Sequence, residues 1–185
     1  MRSTRRTAAI VVGPVLAVLL AASVAAGPSG ARHAAGTFVD ATGATVGWVQ
    51  MTQDRTGLVH VNVKVAGMAT GLHGIHIHAV GACAPTFAAA GGHYNPLGHQ
   101  HGLDNPAGPH AGDLPNLIVN AEGVAHLDAT TDRVTLTNGP TTLFDTAAGA
   151  VGSALIIHAN EDDQQTDATN GGSGGRIACG VIVAG

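Results

Sequence analysis

The chain has 185 residues, 45% of them hydrophobic, enough for one globular domain with a core and too few for two comfortable ones. Aromatic residues are only 3%, so Val, Ile, Leu and Ala must fill that core, while 27 glycines and 8 prolines imply many turns. Eight basic residues stand against twelve acidic ones and Lys64 is the single lysine, which leaves no basic patch for an anionic membrane surface and excludes nucleic-acid binding.

At the N-terminus, Arg2, Arg5 and Arg6 precede an apolar stretch from Ile10 to Ala22 and the small residues Ser23-Val24-Ala25-Ala26. This is the pattern of an export signal cleaved near Ala26. Residues 1–26 are read as the signal, 27–36 as a short Gly/Ser/Ala linker and 37–185 as the domain. The apolar stretch is interrupted by Gly13 and Pro14 and is short for a bilayer span, so an uncleaved anchor is the lesser alternative. The residues after Arg5-Arg6 match a twin-arginine signal poorly, and no Cys follows to take a lipid. Cleavage removes three arginines and no acid, leaving five basic residues against twelve acidic, a net charge of −7 with His neutral. The expected destination is the periplasm, the cell envelope or the medium, with no stable membrane insertion after cleavage.

Strand signals then follow one another. Thr37 to Ala41 and Ala44 to Thr52 flank a Thr42-Gly43 turn, and Asp54 to Gly57 makes the next turn. In Leu58 to Val65 the residues Val59, Val61, Val63 and Val65 alternate with Leu58, His60, Asn62 and Lys64, an apolar face against a mostly polar one. Further strands are predicted for Gly74 to His78, Leu117 to Asn120, Gly123 to Asp128, Arg133 to Thr137, Ala154 to Ala159 and Ile177 to Val183. No stretch after the signal keeps a helical period over three turns. The expectation is an all-β antiparallel sandwich or barrel of about eight short strands.

Val80 to Pro115 and Glu161 to Gly175 break this rhythm as long segments rich in Gly, Pro, Asn and Asp. Loops of that length in a compact domain carry function or lack order. The first holds His93, His101, His110 and Asp113, three imidazoles and a carboxylate of the kind that closes a structural zinc site. His76 and His78 stand two apart on a strand and project to one face, and His158 ends another strand. These three form a second cluster whose ligand type suits copper, zinc or iron. Cys83 and Cys179 are the only cysteines, and in an exported chain they are expected to form a disulfide, two buried free thiols being the alternative.

Gly71-Leu72-His73-Gly74-Ile75-His76-Ile77-His78, Gly91-Gly92-His93-Tyr94-Asn95-Pro96, His110-Ala111-Gly112-Asp113-Leu114 and Gly174-Gly175-Arg176-Ile177-Ala178-Cys179-Gly180-Val181-Ile182 resemble, in order, the signatures of the copper,zinc superoxide dismutases. The likeness runs from about Thr37 to Gly185, and the ten-residue step from Cys83 to His93 is more similar to the bacterial exported members. The resemblance implies a Greek-key barrel with two functional loops. It implies a copper ion held by His76, His78, His93 and His158, and a zinc ion held by His93, His101, His110 and Asp113. His93 would bridge the two and carry a proton, Arg176 would attract the superoxide anion, Asp162 would link a copper-ligand to a zinc-ligand histidine, and Cys83 and Cys179 match the family disulfide. The implied activity is disproportionation of superoxide to dioxygen and hydrogen peroxide, by a monomer or a homodimer.

Plainer readings stand beside these. His33, His60, His99 and His126 are read as hydrogen-bonded core histidines without function, and His73 as a structural hydrogen-bonding residue. Arg176 ends a glycine-rich run three residues before Cys179, which favours a loop held near the site over a surface pairing with Asp163 or Asp167. Glu161-Asp162-Asp163 has a solvated acidic turn as its alternative. A noncatalytic copper-binding or metal-buffering module on the same scaffold is the runner-up function. The chain lacks the lysines that family members place around the site mouth, so long-range steering of an anion is expected to be weak or adverse.

Overall fold

The computed structural model describes residues 32–144 and 152–185. The signal reading and the first half of the linker reading, residues 27–31, fall outside the described residues. Among the described residues nine strands run β1 His33–Asp40, β2 Thr45–Gln53, β3 Val59–Ala66, β4 Gly71–His73, β5 Ile75–His78, β6 Leu117–Val119, β7 Val124–Thr131, β8 Ser153–His158 and β9 Arg176–Ala184. All pair antiparallel in the order β4-β6-β7-β3-β2-β1-β9-β8-β5. The two ends of that order, β4 and β5, are consecutive in the chain through Gly74, so the sheet curls into a nearly closed Greek-key barrel. Closure removes the exposed edges on which sheets aggregate.

Alternation builds the core. In β3 the four valines are buried while His60, Lys64 and Ala66 are exposed, as the period of two requires. Val49 and Met51 from β2, Ile75 and Ile77 from β5, and Leu155 and Ile157 from β8 join them inside. The β1–β2 turn is fixed by Asp40, whose Oδ1 accepts the N–H groups of Thr42 and Ala44, with Gly43 at φ 85° supplying the left-handed residue.

Three sequence expectations shift. Strand β1 begins at His33, so the last four residues of the predicted linker pair in the sheet, Gly36 opposite Val49. The expected strand Arg133–Thr137 is not part of the sheet: Leu136 N–H is satisfied by the Gln53 side chain at 2.9 Å, and Val134 and Leu136 plug the core from a loop. Its alternating apolar residues follow the burial pattern of a strand without its ladder. The short β4, Gly71–His73, lies before the predicted strand Gly74 to His78 and has no counterpart among the predicted strands, and two 3-10 turns, Phe87–Ala90 and Asp167–Gly172, lie inside the two long loops. Among the described residues no helix is long and apolar enough to cross a membrane.

Candidate metal centre

Strand β5 places Ile75 and Ile77 in the core and turns His76 and His78 to the opposite face. Its antiparallel partner β8 brings His158 alongside, since Ile75 pairs with Ile157. Isolated bridges His78↔His93 and His76↔Asp113 lay the long loop across β5, and the Cys83–Cys179 disulfide pins that loop to β9. His76, His78 and His158 are all buried, with the loops as their cover.

Each of these three imidazoles has one nitrogen engaged. His76 Nε2 donates to Asp162 Oδ2 (2.5 Å), His78 Nδ1 to the Gly91 carbonyl (2.9 Å) and His158 Nδ1 to the Gly174 carbonyl (3.0 Å). An oxygen that only accepts assigns the hydrogen to that nitrogen and leaves a lone pair on the other. Those others, His76 Nδ1, His78 Nε2 and His158 Nε2, are buried and have no hydrogen-bond partner. A buried polar atom left unpaired costs about 1–3 kcal/mol, so three around one point need an occupant. With His93 they form a set whose ligand atoms all lie within 4.8 Å of one another.

A second set centres on Asp113 Oδ1, which lies 3.1 Å from His93 Nδ1, 3.1 Å from His101 Nδ1 and 3.4 Å from His110 Nδ1. His93 and His110 Nδ1 are 3.3 Å apart. A tetrahedron with metal–nitrogen bonds near 2.0–2.1 Å has edges of about 3.3 Å, so this cluster has the size of a zinc site. The other carboxylate oxygen is held by the N–H groups of Gly102 and His110, both at 2.9 Å. A tight grouping of His76, His93, His101 and Asp113 also occurs. His110 is the better fourth member, because His76 Nε2 is already committed to Asp162.

Electrostatics favours neutral ligands in the first set. Burial, aided by neighbouring imidazoles, pushes His76 down to about 3, His78 to about 2 and His158 to about 4, and lowers His93 as well. His101 goes the other way. Burial opposes its charge, but hydrogen bonds to Asp113 and Asp162 raise it to about 9. Burial likewise opposes the charge of both carboxylates, yet Asp113 is held below the usual range by His101, His110 and His93, and Asp162 by His101 and His76. A cation bound between the second-set ligands would take over the role of the His101 proton.

Asp162 is buried, not a solvated turn, and its oxygens reach His76 Nε2 (2.5 Å) and His101 Nε2 (3.0 Å), one from each set. Arg176 donates to the carbonyls of Phe87 (2.5 Å) and Gly91 (2.6 Å), and the second of these also accepts from His78, which ties the guanidinium to the first set. Asp163 and Asp167 bond elsewhere, to Thr166 and to the His101 N–H. His73 is buried with its ring nitrogens 2.7 and 2.9 Å from the carbonyls of His158 and Ala69. The core reading of His33, His60, His99 and His126 is corrected: all four are exposed, on outer strand faces or the loop surface, each beside a polar partner.

Two positioning residues escaped the sequence reading. Asn116 makes a reciprocal pair with the Asp162 backbone (2.7 and 2.9 Å), and Arg133 Nη2 donates to the Asp113 carbonyl at 2.6 Å. Neither left a local signal, since Asn116 acts on Asp162 and Arg133 on Asp113, each in a segment distant in the chain.

Fold and site together define the class: an antiparallel β-barrel whose two adjacent candidate metal sets, drawn from strands and loops, have one histidine in common. Residues 45–182 match the family model described as copper/zinc superoxide dismutase. The chain is 36% identical over 141 residues to superoxide dismutase [Cu-Zn] 2 of Mesembryanthemum crystallinum, covering 74% of this chain and 85% of that protein. In structure it is similar to a SOD-like protein from Bacillus subtilis (34% identity, TM-score 0.74, 82% of this chain and 98% of that one). It is similar also to the clock protein EA4 (29% identity, TM-score 0.74, 85% and 98% covered). The chain belongs to the copper/zinc superoxide dismutase family.

Proposed function

We propose that this protein disproportionates superoxide to dioxygen and hydrogen peroxide, as an exported antioxidant enzyme. The reading rests on one observation: three buried imidazole nitrogens without partners, His76 Nδ1, His78 Nε2 and His158 Nε2, gathered with His93. His76, His78, His93 and His158 would hold copper; His93, His101, His110 and Asp113 would hold zinc. Bound there, copper supplies one-electron redox chemistry and zinc a fixed positive charge.

The remaining work falls to the chain. With Nδ1 of His93 in the Asp113 cluster, Nε2 would be left for the first set, so this ring would serve both sets and its Nε2 would be the atom that holds the proton passed to product. Asp162 orients His76 and His101 together, which fixes the ligand atoms of both sets, as hydrogen-bonded partners of metal-ligating histidines do. Arg176, immobilised by two carbonyls, offers an anion a fixed positive charge beside the first set. A complete ligand set accompanied by Arg176 favours catalysis over the metal-buffering alternative.

The disulfide supports export, since such bonds persist in oxidising compartments. We assign residues 1–26 to a cleaved signal and the mature protein to the periplasm, envelope or medium. Superoxide loss in metal-loaded protein and in His158→Ala tests the function. Activity is expected in the first and a loss of most of it in the second; equal rates would reject the proposed function.

A further inference from the structure

The second long loop touches the metal ligands at two carboxylates, and only the first, Asp162, has an assigned role. Asp167 opens the 3-10 turn Asp167–Gly172, and its side chain is about half exposed. Its Oδ1 accepts the backbone N–H of His101 at 2.6 Å and lies 3.9 Å from Nε2 of His110. Two ligands of the second set are therefore addressed by one oxygen, His101 through its backbone and His110 through the far side of its ring.

His110 is where such help matters. It is the most solvent-accessible imidazole of its set, its side chain 10% exposed against 4% for His93 and 0% for His101. His101 Nε2 is steadied by buried Asp162. His110 Nε2 has Asp167 as its nearby carboxylate, at a distance where charge attraction acts on the ring N–H without a full hydrogen bond. An acceptor on that side favours the hydrogen on Nε2 and the lone pair on Nδ1, which faces Asp113 Oδ1 and His93 Nδ1.

We infer that Asp167 is a positioning residue for the second set, holding His110 with Nδ1 toward the zinc ion and closing the solvent side against metal escape. The inference rests on the zinc reading of that set. Partners of this kind change metal affinity by about 10–100-fold; with partial exposure and a long contact, the lower end applies.

The test compares wild type with Asp167→Asn and Asp167→Ala, each loaded with zinc at the second set. Zinc affinity and release are followed by chelator competition, and the visible spectrum of cobalt-substituted protein reports the ligand field. Asparagine keeps an oxygen for the His101 N–H but loses the charge facing His110. Expected are zinc release about tenfold faster in Asp167→Asn, release at least as fast in Asp167→Ala, an altered cobalt spectrum in both, and unchanged thermal unfolding of metal-free Asp167→Asn, which keeps the acceptor for the His101 N–H. Wild-type release and spectrum in Asp167→Asn, whatever Asp167→Ala does, would overturn the inference, because a backbone cap alone then accounts for the residue. If wild type binds no zinc through His101, His110 and Asp113, the zinc reading itself fails, and the inference with it.

Discussion

Single imidazoles set the protein's response to pH. His76, His78 and His158 are held in the folded chain at about 3, 2 and 4, below the ordinary 6.5, so the unfolded chain binds more protons as pH falls. Their contribution to stability is complete above about 6.5 and is lost progressively on acidification. His101, raised to about 9, contributes fully below 6.5 and loses that contribution as pH rises through 9. Metal-free protein should therefore show its highest thermal midpoint near pH 6.5, with a fall toward both pH 4.5 and pH 9; a midpoint rising from 6.5 to 4.5 would contradict the burial argument. The ligands themselves were legible in the sequence because histidine is scarce in strand cores and the pairing of His76 with His78 follows from the two-residue period. Asn116 and Arg133 were not, because both act on the backbone of another segment, a contact that no local spacing encodes.

At the level of elements, strand and loop have different duties. Ile77 sits between two site histidines with its own side chain fully buried in the barrel. Ile77→Ala should cost about 2–5 kcal/mol in denaturant unfolding and weaken metal retention with it, since the same strand carries both faces. A loss under 1 kcal/mol would mean that β5 is not anchored through that face. In the second loop, Gly171 has φ 66°, and a Cβ there would collide with Asp162 Oδ1 and crowd His101 Nε2. Gly171→Ala should therefore loosen zinc measurably in chelator competition while leaving the barrel strands protected in hydrogen exchange; unchanged zinc affinity would count against the loop as a positioning element. Strands with clean alternation, β3 above all, were readable from sequence. The Arg133–Thr137 segment misled because Val134 and Leu136 alternate like a strand, yet the Leu136 N–H is served by the Gln53 side chain and the Thr135 N–H by the nearby loop at Thr141. Only the tertiary context shows that difference.

Across the whole molecule, charge and covalent closure matter most. The Cys83–Cys179 bond spans 96 residues and joins the loop bearing His93 to the strand bearing Arg176. Replacing both cysteines by serine should cost about 2–5 kcal/mol in reversible unfolding and reduce activity through Arg176 and His93. A formal net charge of −4 for the whole chain, or −7 once the proposed signal with its three arginines is removed, together with a single lysine, gives little steering toward the site proposed to take an anion. Exposed Glu161, Asp163 and Asp167 stand near Arg176 in sequence, whereas Asp162 is buried and hydrogen-bonded to His76 and His101. Turnover should therefore be flat or rise as salt is added, and a steep fall would show that the field is attractive after all. The most direct test of the whole account is a crystal structure of the protein loaded with copper and zinc. It should show one ion of each kind per chain, with Nδ1 of His93 on zinc and Nε2 on copper; a His93 ring touching only one ion, or neither, would contradict the account.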